Sequence, residues 1–144
     1  MDYIGVMAHY PLTNKNNPTV EELKSGWVER GWLTLLENLS NKYQKPIICS
    51  EIGFESTDGY NTDPVFSPKY LQAPLDLQEQ ADCYQATFEV LWGKPWLKGI
   101  FWWQWFVNPN EPGAILDKNK NESPRGKPAE EVLKNFYLEN DKLK

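Results

Sequence analysis

The sequence predicts an α/β fold with parallel strands. A strand reading is followed by a helix reading three times along the chain. Each strand is separated from the next by enough residues for a helical crossover, which parallel pairing requires. The central run, Pro46-Ile47-Ile48-Cys49-Ser50-Glu51-Ile52-Gly53, is short, apolar and β-branched, like a strand buried on both faces.

Asp2 to Tyr10 alternates Ile4, Val6, Ala8 and Tyr10 on one side and reads as the first strand. Pro11 to Pro18 is a polar loop. Thr19-Val20-Glu21-Glu22 then has capping-box spacing: the Thr oxygen can accept an N–H of the first turn while Glu22 reaches back. One helix is expected to follow, with Val20, Leu23, Trp27, Val28, Trp32, Leu35, Leu36 and Leu39 at helical spacing, weakened or bent at Gly26 and Gly31. After the strand ending at Gly53 comes a long loop, residues 54–75, holding Pro64, Pro68 and Pro74. Loops longer than about 15 residues in a compact domain are usually functional.

Asp76-Leu77-Gln78-Glu79 has capping-box spacing again and opens a helix whose buried face is Ala81, Tyr84, Phe88 and Leu91. Gly93-Lys94-Pro95 ends it. Gly99 to Phe106 is the third strand, too aromatic for an exposed edge. A second polar loop, residues 107–127, leads to Pro128, which suits the first position of a last helix with Val132, Leu133, Phe136 and Tyr137 facing inward. There is no sequence repeat and no low-complexity tract.

Composition excludes several functions. The 144 residues are one domain's worth, 40% of them apolar, and no apolar run approaches the roughly 20 residues of a membrane span. A net charge of −5 without a basic cluster argues against nucleic acid and against anionic membrane surfaces. One histidine, His9, and two separated cysteines, Cys49 and Cys83, make no ligand group at metal spacing. The cysteines read as small hydrophobes rather than a disulfide. Met1-Asp2-Tyr3 lacks the basic start and apolar stretch of a signal peptide. Seven Trp and seven Tyr are many for this length and fit either a core of large rings or a cleft for flat apolar faces such as those of sugars.

Two architectures compete: a thin open sheet of three strands with both edges exposed, or part of an eight-stranded barrel. The strand starts lie roughly 45 to 55 residues apart, within reach of a large (β/α)₈ barrel with insertions. Three strands cannot close a barrel. Glu51 falls at the C-terminal end of its strand, the end that faces the active site in such barrels. The alternative is a carboxylate that caps the next segment or pairs with an Arg at the rim.

A family resemblance rests on several motifs in order. Asp2-Tyr3-Ile4-Gly5-Val6 with Tyr10-Pro11-Leu12, Lys45 to Gly53, Gln78-Glu79-Gln80-Ala81, Trp96 to Trp103, and Gly126-Lys127-Pro128-Ala129-Glu130-Glu131-Val132-Leu133 resemble the second half of a clan-A retaining glycoside hydrolase. The nearest likeness is to glycoside hydrolase family 113, the β-mannanase-like barrels. It covers nearly the whole chain but only strands six to eight of the barrel, so residues 1–144 are expected to be a C-terminal fragment of a catalytic TIM-barrel domain. It implies retaining hydrolysis of β-linked, manno-type glycans without a cofactor or a metal.

By the same resemblance Glu51 is the nucleophile. Tyr10 lines the site and hydrogen-bonds near that carboxylate, and Trp103 floors the sugar subsite. Trp105 is assigned beside it by parity; plain barrel core is the alternative for both. Trp102, of opposite parity, is expected to pack against the outer helices. His9 stands where the family often has a tyrosine, and Met7 where an aspartate is common. His9 is either a substrate contact or a hydrogen-bonded rim residue.

Retaining hydrolysis needs a second carboxyl group, about 5 to 5.5 Å from the nucleophile, to protonate the leaving oxygen. In this clan it follows an asparagine at the end of the fourth strand, which this chain lacks. Asn110-Glu111 and Asn121-Glu122 have the right letters in the wrong context. Glu55, Asp58 and Asp63 are expected to be solvated loop charges or turn formers. The chain alone is therefore expected to be inactive, and three readings follow. It is the nucleophile half of a longer hydrolase; or one chain of a two-chain barrel, with a missing N-terminal half or self-association covering the open edge; or a non-catalytic carbohydrate-binding or scaffold module. On the fragment reading any export signal would precede the missing half, so localisation stays open.

Overall fold

The computed structural model describes residues 2–65, 72–108 and 120–141. Among them, three parallel strands form one sheet in the order β1 (Ile4–Met7), β2 (Ile47–Ile52), β3 (Leu97–Trp102). Four helices accompany it: α1 (Val20–Glu29), α2 (Trp32–Tyr43), α3 (Leu77–Leu91) and α4 (Pro128–Asp141), with a short 3₁₀ turn at Tyr60–Thr62. The strand–helix alternation is as the sequence predicts.

The single helix expected from Val20 to Leu39 is two. Arg30 closes α1, and Gly31 adopts φ +80°, a left-handed conformation that costs a side chain-bearing residue but not glycine. The chain turns there and α2 starts afresh. Gly26, inside α1, is not a weak point but a contact: a Cβ there would lie 2.0 Å from the Leu12 carbonyl oxygen. The Thr19–Glu22 capping box forms in both directions, with Glu22 N–H donating to Thr19 Oγ1 at 3.3 Å and Thr19 N–H donating to Glu22 Oε2 at 3.0 Å.

At α3 the cap is one-sided. Asp76 Oδ1 accepts from the N–H groups of Gln78 and Glu79, but Glu79 does not reach back. Its carboxylate is buried and accepts from Gly59 N–H (2.8 Å), Asn61 N–H (3.0 Å) and Asn61 Nδ2 (2.9 Å). It ties the loop after β2 to the helix, because buried N–H groups need acceptors and a carboxylate supplies several at once.

One face of the sheet is covered. Ile47, Cys49, Ile52 and Ile100 pack against Leu23 and Trp27 of α1 and against Tyr84, Phe88 and Leu91 of α3. Trp102 stacks on Tyr84 with ring centroids 4.0 Å apart and tilts against Phe88, as its parity predicts. Phe136 and Tyr137 of α4 close the cluster over Phe88 and Trp92. Both cysteines are free and buried. On the opposite face Met7, Phe101 and Trp103 stand exposed, with no helix over them among the described residues. No described helix is long and apolar enough to cross a membrane.

Candidate functional site

Glu51 reaches its position through an irregularity in β2. In register, Val6 pairs with Cys49, but the next residue of β1, Met7, pairs with Glu51. The β2–β3 ladder also shifts between Cys49 and Ile52. Strict alternation would turn Glu51 to the same side as Ile47 and Cys49, against the helices. The extra residue re-aims it, as β-bulges do. Ile52 takes the buried side and Glu51 joins the face that carries Met7 and His9. There His9 Nε2 lies 3.1 Å from Glu51 Oε1, the two side chains 15% and 26% exposed. Backbone bonding fixes the pair, since Ala8 N–H donates to the Glu51 carbonyl at 2.7 Å.

Gly53 sets the floor beside it. A Cβ at this position would lie 1.8 Å from the carbonyl oxygen of Trp103, so only glycine lets the ends of β2 and β3 come together. Trp103 N–H donates to the Ile52 carbonyl at 2.7 Å. The Trp103 ring, 44% exposed, stands at the same end of the sheet, and the peptide after it is cis. Trp105 is also exposed, but β3 ends at Trp102, so strand parity does not extend to it.

Tyr10 goes elsewhere. Its ring stacks on Trp32 (4.5 Å between centroids, 6° between planes) and meets Trp27 edge-on. It follows the parity of Val6 and Ala8 toward α1 and α2, and among the described residues its hydroxyl makes no hydrogen bond to Glu51. Burial, with the nearby Cys49, raises the hydroxyl above the usual phenol value.

Sequence reasoning missed a polar cluster next to the pair. Lys127 is buried and donates to Ser56 Oγ (2.6 Å) and to the Asn121 carbonyl (2.6 Å) and Oδ1 (3.1 Å). Burial pulls its ammonium down to about 8, against the opposing pull of Glu122 and Glu55. Glu55 is no solvated loop charge: burial, and then Glu122, push its carboxyl up to about 7. The segment ahead of α4, expected as polar loop, buries Asn121 and Ser123. The only hint in the sequence was the short spacing from Asn121 to Lys127. Asn110-Glu111 lies outside the described residues.

Asp58, Asp76 and Glu79 bring carboxylate oxygens within 4.8 Å of one another, but these serve the loop: Glu79 and Asp76 as above, and Asp58 by accepting from Asn16 Nδ2 at 3.0 Å. A cavity of about 810 Å³ runs along the free edge of β3, between Phe101, Trp92 and Tyr137. It holds neither Glu51 nor His9, because three strands leave the end of the sheet without the walls that would make a pocket there.

A parallel sheet with helices on one face, and strand-end carboxylate, histidine and tryptophan on the other, is part of a (β/α)₈ barrel of the glycoside hydrolase class. The chain belongs to glycoside hydrolase family 113, whose family profile matches residues 1–122. A solved family 113 β-1,4-mannanase complex shares 28% identity at a TM-score of 0.70, over 96% of this chain and 39% of that one. The family 113 β-mannanase AaManA from Alicyclobacillus acidocaldarius, in complex with ManMIm, shares 26% at a TM-score of 0.71, over 95% and 39%. A further family 113 β-1,4-mannanase structure shares 28% at 0.67, over 96% and 39%. The chain thus spans 39% of the length of these enzymes. No curated protein sequence matches it.

Proposed function

We propose that residues 1–144 are the C-terminal part of a retaining β-mannanase-type catalytic domain and supply the nucleophile half of its site. The observation that carries this is the placement of Glu51, turned by a bulge onto the uncovered face at the C-terminal end of β2 and bonded there to His9. A carboxylate so held stands on the uncovered face rather than being spent on a helix cap or an Arg.

In the reaction, a Glu51 oxygen forms a bond to the anomeric carbon as the bond from that carbon to the leaving oxygen breaks. The leaving oxygen takes a proton from a carboxylic acid on the remaining barrel. Water then attacks the same carbon, gives its proton to that second carboxylate, and releases Glu51. Trp103 and Trp105 offer exposed ring faces to the sugar, and His9 steadies Glu51. Tyr10, stacked on Trp32, supports the end of β1 from behind. The substrate class is β-linked mannan, as for the mannanases it resembles, and the chain alone does not hydrolyse it.

The test uses a 2-deoxy-2-fluoro mannosyl reagent that traps the covalent intermediate. With the remaining barrel strands present, the label is expected on the peptide carrying Glu51 and is lost in E51Q. The isolated chain stays unlabelled. Label on another carboxylate would overturn the assignment.

A further inference from the structure

Residues 121–127, ahead of α4, are fastened to the ends of two strands at once. On one side they meet the loop after β2. Ser56 Oγ donates to the Asn121 carbonyl at 3.1 Å, and Lys127 Nζ donates both to that carbonyl and to Ser56 Oγ, each at 2.6 Å. Gln80, fully buried on α3, clips the same carbonyl (3.2 Å) to that of Phe54 (2.7 Å) through its Nε2. The Glu122 Cβ lies 3.5 Å from where a Cβ on Gly53 would stand, so the segment backs the chain just past Glu51.

On the other side the segment holds the chain after β3. Arg125 Nη1 donates to the Phe106 carbonyl at 3.0 Å and to the Val107 carbonyl, and the Phe106 N–H donates to Ser123 Oγ at 3.5 Å. Phe106 directly follows Trp105, which with Trp103 exposes its ring at this end of the sheet. The segment is stiff in itself. Ser123 N–H donates to Asn121 Oδ1 (3.0 Å), Lys127 N–H to the Pro124 carbonyl (3.0 Å), and Gly126 N–H to Glu130 Oε2 of α4 (2.6 Å).

We infer that residues 121–127 are a brace that sets the spacing between Glu51 and the tryptophans after β3, with Lys127 its positioning residue on the Glu51 side and Arg125 on the other. Burying an ammonium is costly, and Lys127 gives its donors to three neutral oxygens, those of Ser56 and Asn121. An apolar side chain would fill the space at lower cost but could not join the two segments. The inference rests on the reading of Glu51 as nucleophile and of Trp103 and Trp105 as sugar contacts. A misplacement of about 1 Å between attacking oxygen and sugar can slow reaction about a hundredfold, so the spacing matters to the chemistry.

The test resolves covalent labelling of the complete barrel by the 2-deoxy-2-fluoro mannosyl reagent into a maximal rate and a half-saturating concentration. K127M keeps an unbranched side chain but removes the donors. It is expected to lower the maximal rate about tenfold or more, with the half-saturating concentration little changed. S56A cuts the same link more mildly, moves the same constant in the same direction, and serves if K127M does not fold. R125Q is expected to do the converse, raising the half-saturating concentration about threefold with the maximal rate little changed. Changes in both constants that merely follow Tm, or no change in either, overturn the brace. Amide exchange on this chain reads the spacing without sugar. The Trp103 N–H, which donates to the Ile52 carbonyl at 2.7 Å, is expected to exchange faster in S56A and in R125Q, relative to the Phe88 N–H within α3. A parent barrel without label on Glu51 but with this exchange response sinks the nucleophile reading and keeps the brace. Unchanged exchange beside a labelled Glu51 sinks the brace and keeps the nucleophile.

Discussion

Replacing Gly53 with alanine tests whether the join between β2 and β3 is what builds the end of the sheet. The added Cβ would sit 1.8 Å from the Trp103 carbonyl oxygen, a backbone atom that cannot swing aside as a side-chain tip would. Relief requires the two backbones to part by more than an ångström. That parting strains or breaks the 2.7 Å bond from Trp103 N–H to the Ile52 carbonyl. A buried backbone hydrogen bond is worth about 1 kcal/mol, and forcing volume into a packed contact costs about 1–3 kcal/mol. The sum, about 2–4 kcal/mol, corresponds to a fall in Tm of roughly 5–15 °C for a domain of this size. Thermal unfolding followed by tryptophan fluorescence reads it, with Gly99→Ala as the matched control. Gly99 lies on β3 itself, and its nearest neighbour to an added Cβ is Phe101 Cε2 at 4.0 Å, so that variant is expected to melt with the parent. G53A melting within a degree or two of G99A would refute the close approach as the reason for glycine after Glu51 and Ile52.

Three further outcomes are expected. Glu79→Ala leaves the N–H groups of Gly59 and Asn61 without their buried acceptor and is expected to cost about 3–5 kcal/mol in urea unfolding; a loss below about 1 kcal/mol would remove Glu79 as the tie between loop and helix. Glu55, at about 7 in the folded chain against an ordinary 4.5, binds its proton more tightly folded than unfolded, so its contribution to stability is present at low pH and falls as pH rises from 4.5 to 7. Glu55→Gln is expected to remove that fall, so that its Tm rises relative to the parent across this window; parallel curves would contradict the burial of Glu55. Trp103→Ala is expected to weaken mannan binding by the complete barrel roughly tenfold, since a ring-face contact is worth about 1 kcal/mol or more, with Tm little changed because the ring is exposed. Unchanged binding would return Trp103 to a structural role.

What the sequence makes legible here is what local chemistry determines. The Thr19–Glu22 box, Pro128 at the head of α4 and the apolar strand runs are satisfied within a few residues, and they form as expected. Where a local signal competes with a distant partner, the partner wins. Glu79 has the spacing of a capping box but gives its oxygens to Gly59 and Asn61, because buried N–H groups across the loop gain more from a carboxylate than the exposed helix start does. Lys127 meets Ser56 across 71 residues, and no window of sequence contains both. Glu55 reads as a solvated loop charge for the same reason: its burial is made by segments that arrive from elsewhere.

The bulge before Glu51 is the most instructive of these departures. A period of two, applied without interruption, turns this carboxylate into the apolar core, where an ionised group is expensive. It also turns Ile52 out to solvent. One extra residue between Cys49 and Ile52 corrects both faults together. Stability alone could have met the same need with an apolar residue at position 51 and an unbroken strand. An interrupted ladder that carries a carboxylate to the open face, beside the chain's one histidine and under a glycine that admits Trp103, is what the proposed nucleophile role of Glu51 requires and a core does not.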